Sequence, residues 1–151
     1  MKLRFEQFVA VARPALFAFH SDPANLAVLL RGYRNFELLS HEGHIRPPAR
    51  VRTRQSVWGL RHELVFEQFL LEPPLRFGER QVEGPFARFE HVHEFAEARG
   101  GTTIVDLVDF ALPWYLGGPL VEPLVAATEL ESFFAFRRAA YQRLVATKAL
   151  Q

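Results

Sequence analysis

Apolar and polar residues alternate with a two-residue period over Leu3, Phe5 and Phe8 to Val11, which predicts an opening strand before Pro14 starts a helix. The segment PALFAFHSDPANLAVLL then reads as two short helices, because Ser21 or Asp22 can cap a second helix that has Pro23 at its first position. From Tyr33 to Ala111 the two-residue period returns in runs separated by turn signals: His44 to Ala49 with Pro47-Pro48, Gly59, Pro73-Pro74, Gly84-Pro85 and Gly100-Gly101. Such short connections predict a meander of about six antiparallel strands. After Pro113 the period becomes helical. From about Val121 to Thr147 the residues Leu130, Phe133, Phe134, Tyr141, Leu144 and Val145 form one broad stripe, the mark of a long amphipathic helix. The expected order is β-αα-β6-α over residues 1–151 as one domain. Its class is α+β, a curved antiparallel sheet of about seven strands wrapped around the C-terminal helix.

Strand phase says which side chains face that helix. Phe89, His91, His93 and Phe95 share one face of their run, and Ile104, Asp106, Val108 and Phe110 share one face of the next. The preceding run puts Phe77, Glu79 and Gln81 in phase, and Arg137 interrupts the helix stripe between Phe133 and Tyr141. Polar groups therefore break an otherwise apolar pattern on both the sheet and the helix.

Composition narrows the function classes. The chain has 49% hydrophobic and 23% charged residues, typical of a folded globular protein, and its formal net charge of +1 gives no reason to expect a nucleic-acid partner. Arg50, Arg52 and Arg54 share a strand face with Glu63 and Glu67 in the next run able to neutralise them, so a solvated surface is expected there. With no cysteine, disulfides, thiolate metal sites and cysteine nucleophiles are excluded. The N-terminus lacks the apolar core of a signal peptide and no apolar run approaches a membrane span, so a cytoplasmic location without integral membrane association is expected. No nucleophile elbow, phosphate loop or dinucleotide fingerprint is present, which leaves hydrolase, kinase and Rossmann readings without support.

Three segments, PALFAFHSDPANL, EPPLRFGERQVEGPFARFEHVHEF and GGTTIVDLVDFALP, together with Phe134 and Arg137 in the terminal helix, resemble the START-like, helix-grip superfamily, also called SRPBCC. The resemblance spans nearly the whole chain and runs to its small stand-alone bacterial members. Gly78 and Arg80 depart from it, standing where a larger apolar residue and an acid are common. The resemblance implies a cavity between sheet and helix that takes an apolar or aromatic molecule, since relatives include lipid carriers, plant allergen-like binders and polyketide aromatase/cyclases. A fold shared by carriers and enzymes does not choose between them.

The expectation is thus a binder of a lipid-, isoprenoid- or polyketide-like molecule, monomeric or homodimeric, without catalytic residues, metal or cofactor. Phe66, Gln81, Phe89, His91, His93, Asp106, Phe110, Phe133 and Arg137 are the expected ligand-binding residues. The His91-x-His93 spacing of about 7 Å also suits a metal site if a third ligand such as Asp106 lies nearby, but buried imidazoles bonded to each other, Gln81 or Asp106 are the preferred reading. Arg137, too costly to bury alone, should pair with Asp106 or Glu79, or meet an acidic ligand head. Access is expected past the His44 to Ala49 loop, the Gly84-Pro85 turn and the Trp114 to Pro119 segment. The alternatives are an aromatase/cyclase-like enzyme using His91 or His93 as a base, and an interaction module or dimer with a filled interior.

Overall fold

The alternation resolves into seven strands in a computed structural model that describes residues 1–150. They are β1 (Lys2–Val9), β2 (Glu37–His41), β3 (Arg50–Val57), β4 (Leu60–Glu72), β5 (Arg76–Glu83), β6 (Arg88–Ala98) and β7 (Gly101–Ala111). All neighbours are antiparallel, in the order β1-β7-β6-β5-β4-β3-β2. Only the β1–β7 pairing is not a hairpin or meander step; it carries the first strand across the helices to the last. Register shifts between Val65 and Phe66 and between Gln68 and Leu70 bend the long β4, as extra residues on one side of a ladder do. The sheet curves around the C-terminal helix, which makes this a helix-grip α+β fold.

Between β1 and β2 lie α1 (Arg13–Ser21) and α2 (Leu26–Leu29), joined by a 3₁₀ turn over Pro23–Asn25. Asp22 caps that turn by accepting the Ala24 N–H at 3.0 Å, and the Asn25 amide donates to the Phe19 carbonyl at 2.7 Å. The corner predicted from Ser21, Asp22 and Pro23 is therefore held by its own polar side chains.

The expected single helix from Val121 to Thr147 is one helical run with a change of pitch. α3 (Glu122–Val125) passes through a π-helical turn, Ala126–Leu130, into α4 (Glu131–Ala146). The wide turn re-phases the apolar stripe, so that Ala126, Leu130, Phe134, Arg137 and Tyr141 all face the sheet. Two apolar clusters fill the space beneath. One joins Leu16, Phe17, Leu29, Phe77, Phe95, Ile104 and Tyr141; the other joins Val108, Phe110, Val125, Leu130 and Phe134. On the inner face of β7, Ile104 belongs to the first and Val108 to the second, so Asp106 falls at the seam. On the outer face Arg50 pairs with Glu67 at 3.0 Å, and Arg52 and Arg54 pair with Glu63 at 3.3 and 2.9 Å, the neutralised stripe that the alternation predicted.

The β6–β7 turn admits a direct test. A methyl group on Gly101 would lie 2.2 Å from the Val9 carbonyl oxygen and 2.9 Å from the Ala10 Cα, both backbone atoms that cannot step aside. Gly101→Ala is expected to lower stability by about 1–3 kcal/mol through overpacking, read as a lower urea midpoint with an unchanged slope.

Candidate functional site

Strand register sets two polar rows side by side on the concave face. In one, Phe5, Asp106, His93 and Phe77 lie opposite one another across β1, β7, β6 and β5; in the other, Val108, His91, Glu79 and Gln68 do so across β7, β6, β5 and β4. The helix supplies Arg137 over the first row. Asp106 and Arg137 are 1% and 2% exposed, so neither charge has water to solvate it. They solvate each other: Arg137 Nη1 donates to Asp106 Oδ1 at 3.0 Å. The same oxygen meets His91 Nε2 at 2.8 Å and His93 Nδ1 at 2.9 Å. On the helix side Arg137 Nη2 donates to the Tyr141 hydroxyl at 3.0 Å, and that hydroxyl is hydrogen-bonded to His20 Nε2 on α1. A continuous polar chain therefore ties sheet, long helix and helix corner together.

Environment separates the ionisable groups around Asp106. Burial raises the carboxyl, but Arg137, His91 and His93 outweigh it and hold Asp106 well below the usual carboxylate range. Burial and then the neighbouring His93 lower His91 to about 4 against the pull of Asp106, leaving a neutral imidazole. His20 is likewise held well below the ordinary imidazole range, by burial and then by Arg137. His93 goes the other way: burial lowers it, yet Asp106 and Glu79 together outweigh burial and raise it. Glu79 is also lowered, because His93, His91 and the Gln68 amide, which donates at 3.2 Å, overcome its burial. Burial pushes the Tyr141 hydroxyl up to about 12. His93 thus lies between two carboxylates that favour its charged form, whereas His91 beside it is held neutral.

The cluster forms the polar end of an apolar cavity of about 110 Å³ between the sheet and the C-terminal helical run. Tyr33, Thr53, Phe66, Phe89 and Phe133 are among its walls, with Glu79 and His91 at the polar end. A second cavity of about 70 Å³ shares the Glu79 and His91 wall and continues past His93 to Arg137 and His20.

The family model for polyketide cyclase/dehydrase and lipid transport matches residues 9–131, most of the sheet and the corner that carry this site. The chain belongs to that family. Its fold is shared with TTHA0849 of Thermus thermophilus, 21% identical over 97% of this chain and 99% of that one, with a TM-score of 0.76. A Rhodobacter sphaeroides protein is 20% identical over 97% of this chain and 93% of its own, also with a TM-score of 0.76. A START superfamily protein from Mycobacterium smegmatis is 14% identical over 95% and 98%, with a TM-score of 0.73. No curated protein matches the sequence.

Of the residues expected at the site of this polyketide cyclase/lipid transport family member, Phe66, Phe89, His91 and Phe133 line the larger cavity, and His91, His93, Phe133 and Arg137 the smaller. Three are placed differently. Asp106 stands behind the imidazoles and lines neither cavity; it acts by fixing their rings. Phe110, fully buried, packs under Phe86 in the second apolar cluster. Gln81 has its amide taken by the turn: Nε2 donates to the Phe86 carbonyl at 2.8 Å and Oε1 accepts the Phe86 N–H at 3.4 Å. A side chain next to an open Gly-Pro turn finds backbone partners there first, whatever its strand phase. Arg137 takes Asp106 rather than Glu79. Of the expected rim, Phe86 beside the Gly84-Pro85 turn and Ile45 line a cavity wall, whereas no residue from Trp114 to Pro119 does, and Trp114 stands 87% exposed.

Residues the pattern did not single out complete the site. His20 was visible as part of the corner, but its bond to Tyr141 links residues 121 positions apart. Tyr33 and Glu129 line the larger cavity, and Glu129 pairs with Arg34, whose Nη2 also donates to the Thr128 carbonyl at 2.9 Å. Glu79 was seen in phase but not recognised as the group shared by both cavities.

Removing one partner of the buried pair should expose its cost. Arg137→Met leaves Asp106 with less compensation and is expected to lose about 3–5 kcal/mol of stability, whereas Arg137→Met with Asp106→Leu should recover a substantial part. Urea denaturation of the two singles and the double variant measures the coupling.

Proposed function

We propose that this protein binds an apolar, ring-containing small molecule in the larger cavity, with the ligand's polar end at the Glu79 and His91 wall. The observation that carries the reading is the cavity itself: an apolar space backed by a polar cluster at one end, the arrangement expected of a small-molecule site. The family, which joins polyketide cyclases and dehydrases with lipid transport, supports a hydrophobic ligand in general. The cavity is comparable in size to the roughly 150 Å³ apolar cavities that take up benzene, so a single ring enters without rearrangement and a longer lipid or polyketide needs the walls to part. Parting is easiest where the larger cavity is closed by polar links rather than packing: Arg34 to Glu129 and Thr128, and the Trp58 indole to the Thr128 hydroxyl at 3.4 Å.

Glu79, ionised on the wall, repels a carboxylate, and both Arg137 Nη atoms are already engaged. A hydroxyl or carbonyl end therefore suits the site better than the acidic head expected from Arg137 alone. In this reading the protein is a single-domain cytoplasmic binder, monomeric or homodimeric. A second reading, chemistry on a polyketide-type carbonyl, is favoured by one feature: His91 is neutral and on the cavity wall, the state a general base requires.

Two measurements test the binding reading. Native mass spectrometry of protein taken from its own host should show a retained apolar molecule that denaturation releases. Uptake of the neutral fluorescent probe N-phenyl-1-naphthylamine should weaken at least tenfold in Gln55→Trp, which adds bulk to a half-buried wall position without disturbing the polar cluster. An empty protein whose probe uptake is the same in Gln55→Trp would overturn the proposal.

A further inference from the structure

The two imidazoles that Asp106 holds from behind present their other nitrogens to Glu79. His91 Nδ1 is 3.8 Å and His93 Nε2 3.7 Å from the same carboxylate oxygen, Glu79 Oε1. One donor atom from each residue can be chosen so that all three lie within 4.8 Å of one another. We propose that Glu79, His91 and His93 form a binding site for a divalent transition-metal ion such as zinc, in the wall shared by the two cavities. This goes beyond the small-molecule reading and does not depend on it.

Four features of the geometry carry the assignment. Two imidazole nitrogens and one carboxylate oxygen are a donor set that zinc and ferrous iron both accept, with positions left for water or an oxygen of another molecule. Donors around a tetrahedral zinc ion stand about 3.4 Å apart, so the observed spacings need a closure of only a few tenths of an ångström between Glu79 and each imidazole. The far nitrogen of His91, Nε2, is hydrogen-bonded to Asp106 Oδ1 at 2.8 Å, the carboxylate support that directs Nδ1 forward as a ligand; His93 Nδ1 lies 2.9 Å from the same oxygen but out of line for a hydrogen bond. Glu79 has its other oxygen held by the Gln68 amide at 3.2 Å.

The buried orphans point to the same place. Both ring nitrogens of His93 and Gln68 Oε1 are buried without a hydrogen-bond partner, Nε2 being the His93 nitrogen that faces Glu79, and Gln68, His93 and Glu79 line the same small cavity. A buried unpaired nitrogen and a buried unpaired carbonyl oxygen are each costly, and an ion in their midst would satisfy the first directly. The sequence reading preferred hydrogen-bonded imidazoles without a metal and named Asp106 as the third ligand that a metal would need. The structure places Asp106 behind the imidazoles and Glu79, on the strand at the other side of β6, in front.

The test uses the intact protein after chelator treatment and removal of the chelator, titrated with Zn²⁺ by calorimetry and with Co²⁺ by visible absorption. One ion per chain is expected, with ligand-field bands of a low-coordinate cobalt site. Glu79→Gln, nearly isosteric and half-buried, should fold as the parent does and weaken Zn²⁺ binding at least tenfold. Asp106→Asn should weaken it by about 10- to 100-fold if it folds, as loss of a supporting carboxylate does. Replacing the exposed His41 and His44 together by Ala should change nothing. Absence of stoichiometric binding in the parent, or binding that survives Glu79→Gln but vanishes in the His41/His44 double variant, would overturn the assignment. Neither result bears on uptake of the apolar probe, which is measured without metal.

Discussion

The ion pair between Asp106 on β7 and Arg137 on α4 sets the terms for the rest of the molecule. A carboxylate and a guanidinium, each almost wholly removed from water, are tolerable only when the polar groups around them are directed at them. That requirement recruits His91 and His93 on the sheet side, and Tyr141 and through it His20 on the helix side. The apolar clusters on either side hold the helix against the sheet, but an apolar surface does not dictate angle or register by itself. A charged anchor at the seam between them does, because sliding the helix by one turn would leave both charges uncompensated.

The same anchor explains why a cavity persists beside a core rich in phenylalanine. A sheet bent by the β4 bulges around a helix with a π-helical turn encloses more space than the side chains at its polar end can fill. Three of the rings that line it, Phe66, Phe89 and Phe133, belong to three different elements; Phe66 packs on Phe89, and Phe133 on Phe134. Closing the space would require moving the imidazoles off Asp106 and Glu79 off Gln68. The polar cluster thus serves both as a strut and as a polar wall of the space beside it.

Family membership is consistent with this division of labour. One family model covers polyketide cyclase/dehydrase and lipid transport, and the fold is kept at 14–21% identity with the solved structures. What distinguishes one member from another has to lie in the few polar side chains aimed into the cavity. The polar side chains that line the two cavities of this chain include Glu79, His91, His93, Glu129 and Arg137, with Asp106 behind the imidazoles.

Much of this was legible in the chain itself. Two-residue alternation, punctuated by Pro and Gly at each turn, determined the number of strands, their inward faces and hence the inward pointing of His91, His93 and Asp106, because strand side chains alternate with no freedom to do otherwise. The helical stripe likewise placed Arg137 among the inward residues. What one-dimensional periodicity does not hold is the register between strands and the angle of the helix over them. Only the tertiary structure decided that Arg137 reaches Asp106 rather than Glu79 and that Asp106 stands behind both imidazoles instead of beside them. It also turned Gln81 back to the Phe86 backbone and made Tyr141 and His20 partners. Those choices depend on distances of a few ångströms between residues tens of positions apart, and they are set by the cost of leaving any buried polar group without a partner.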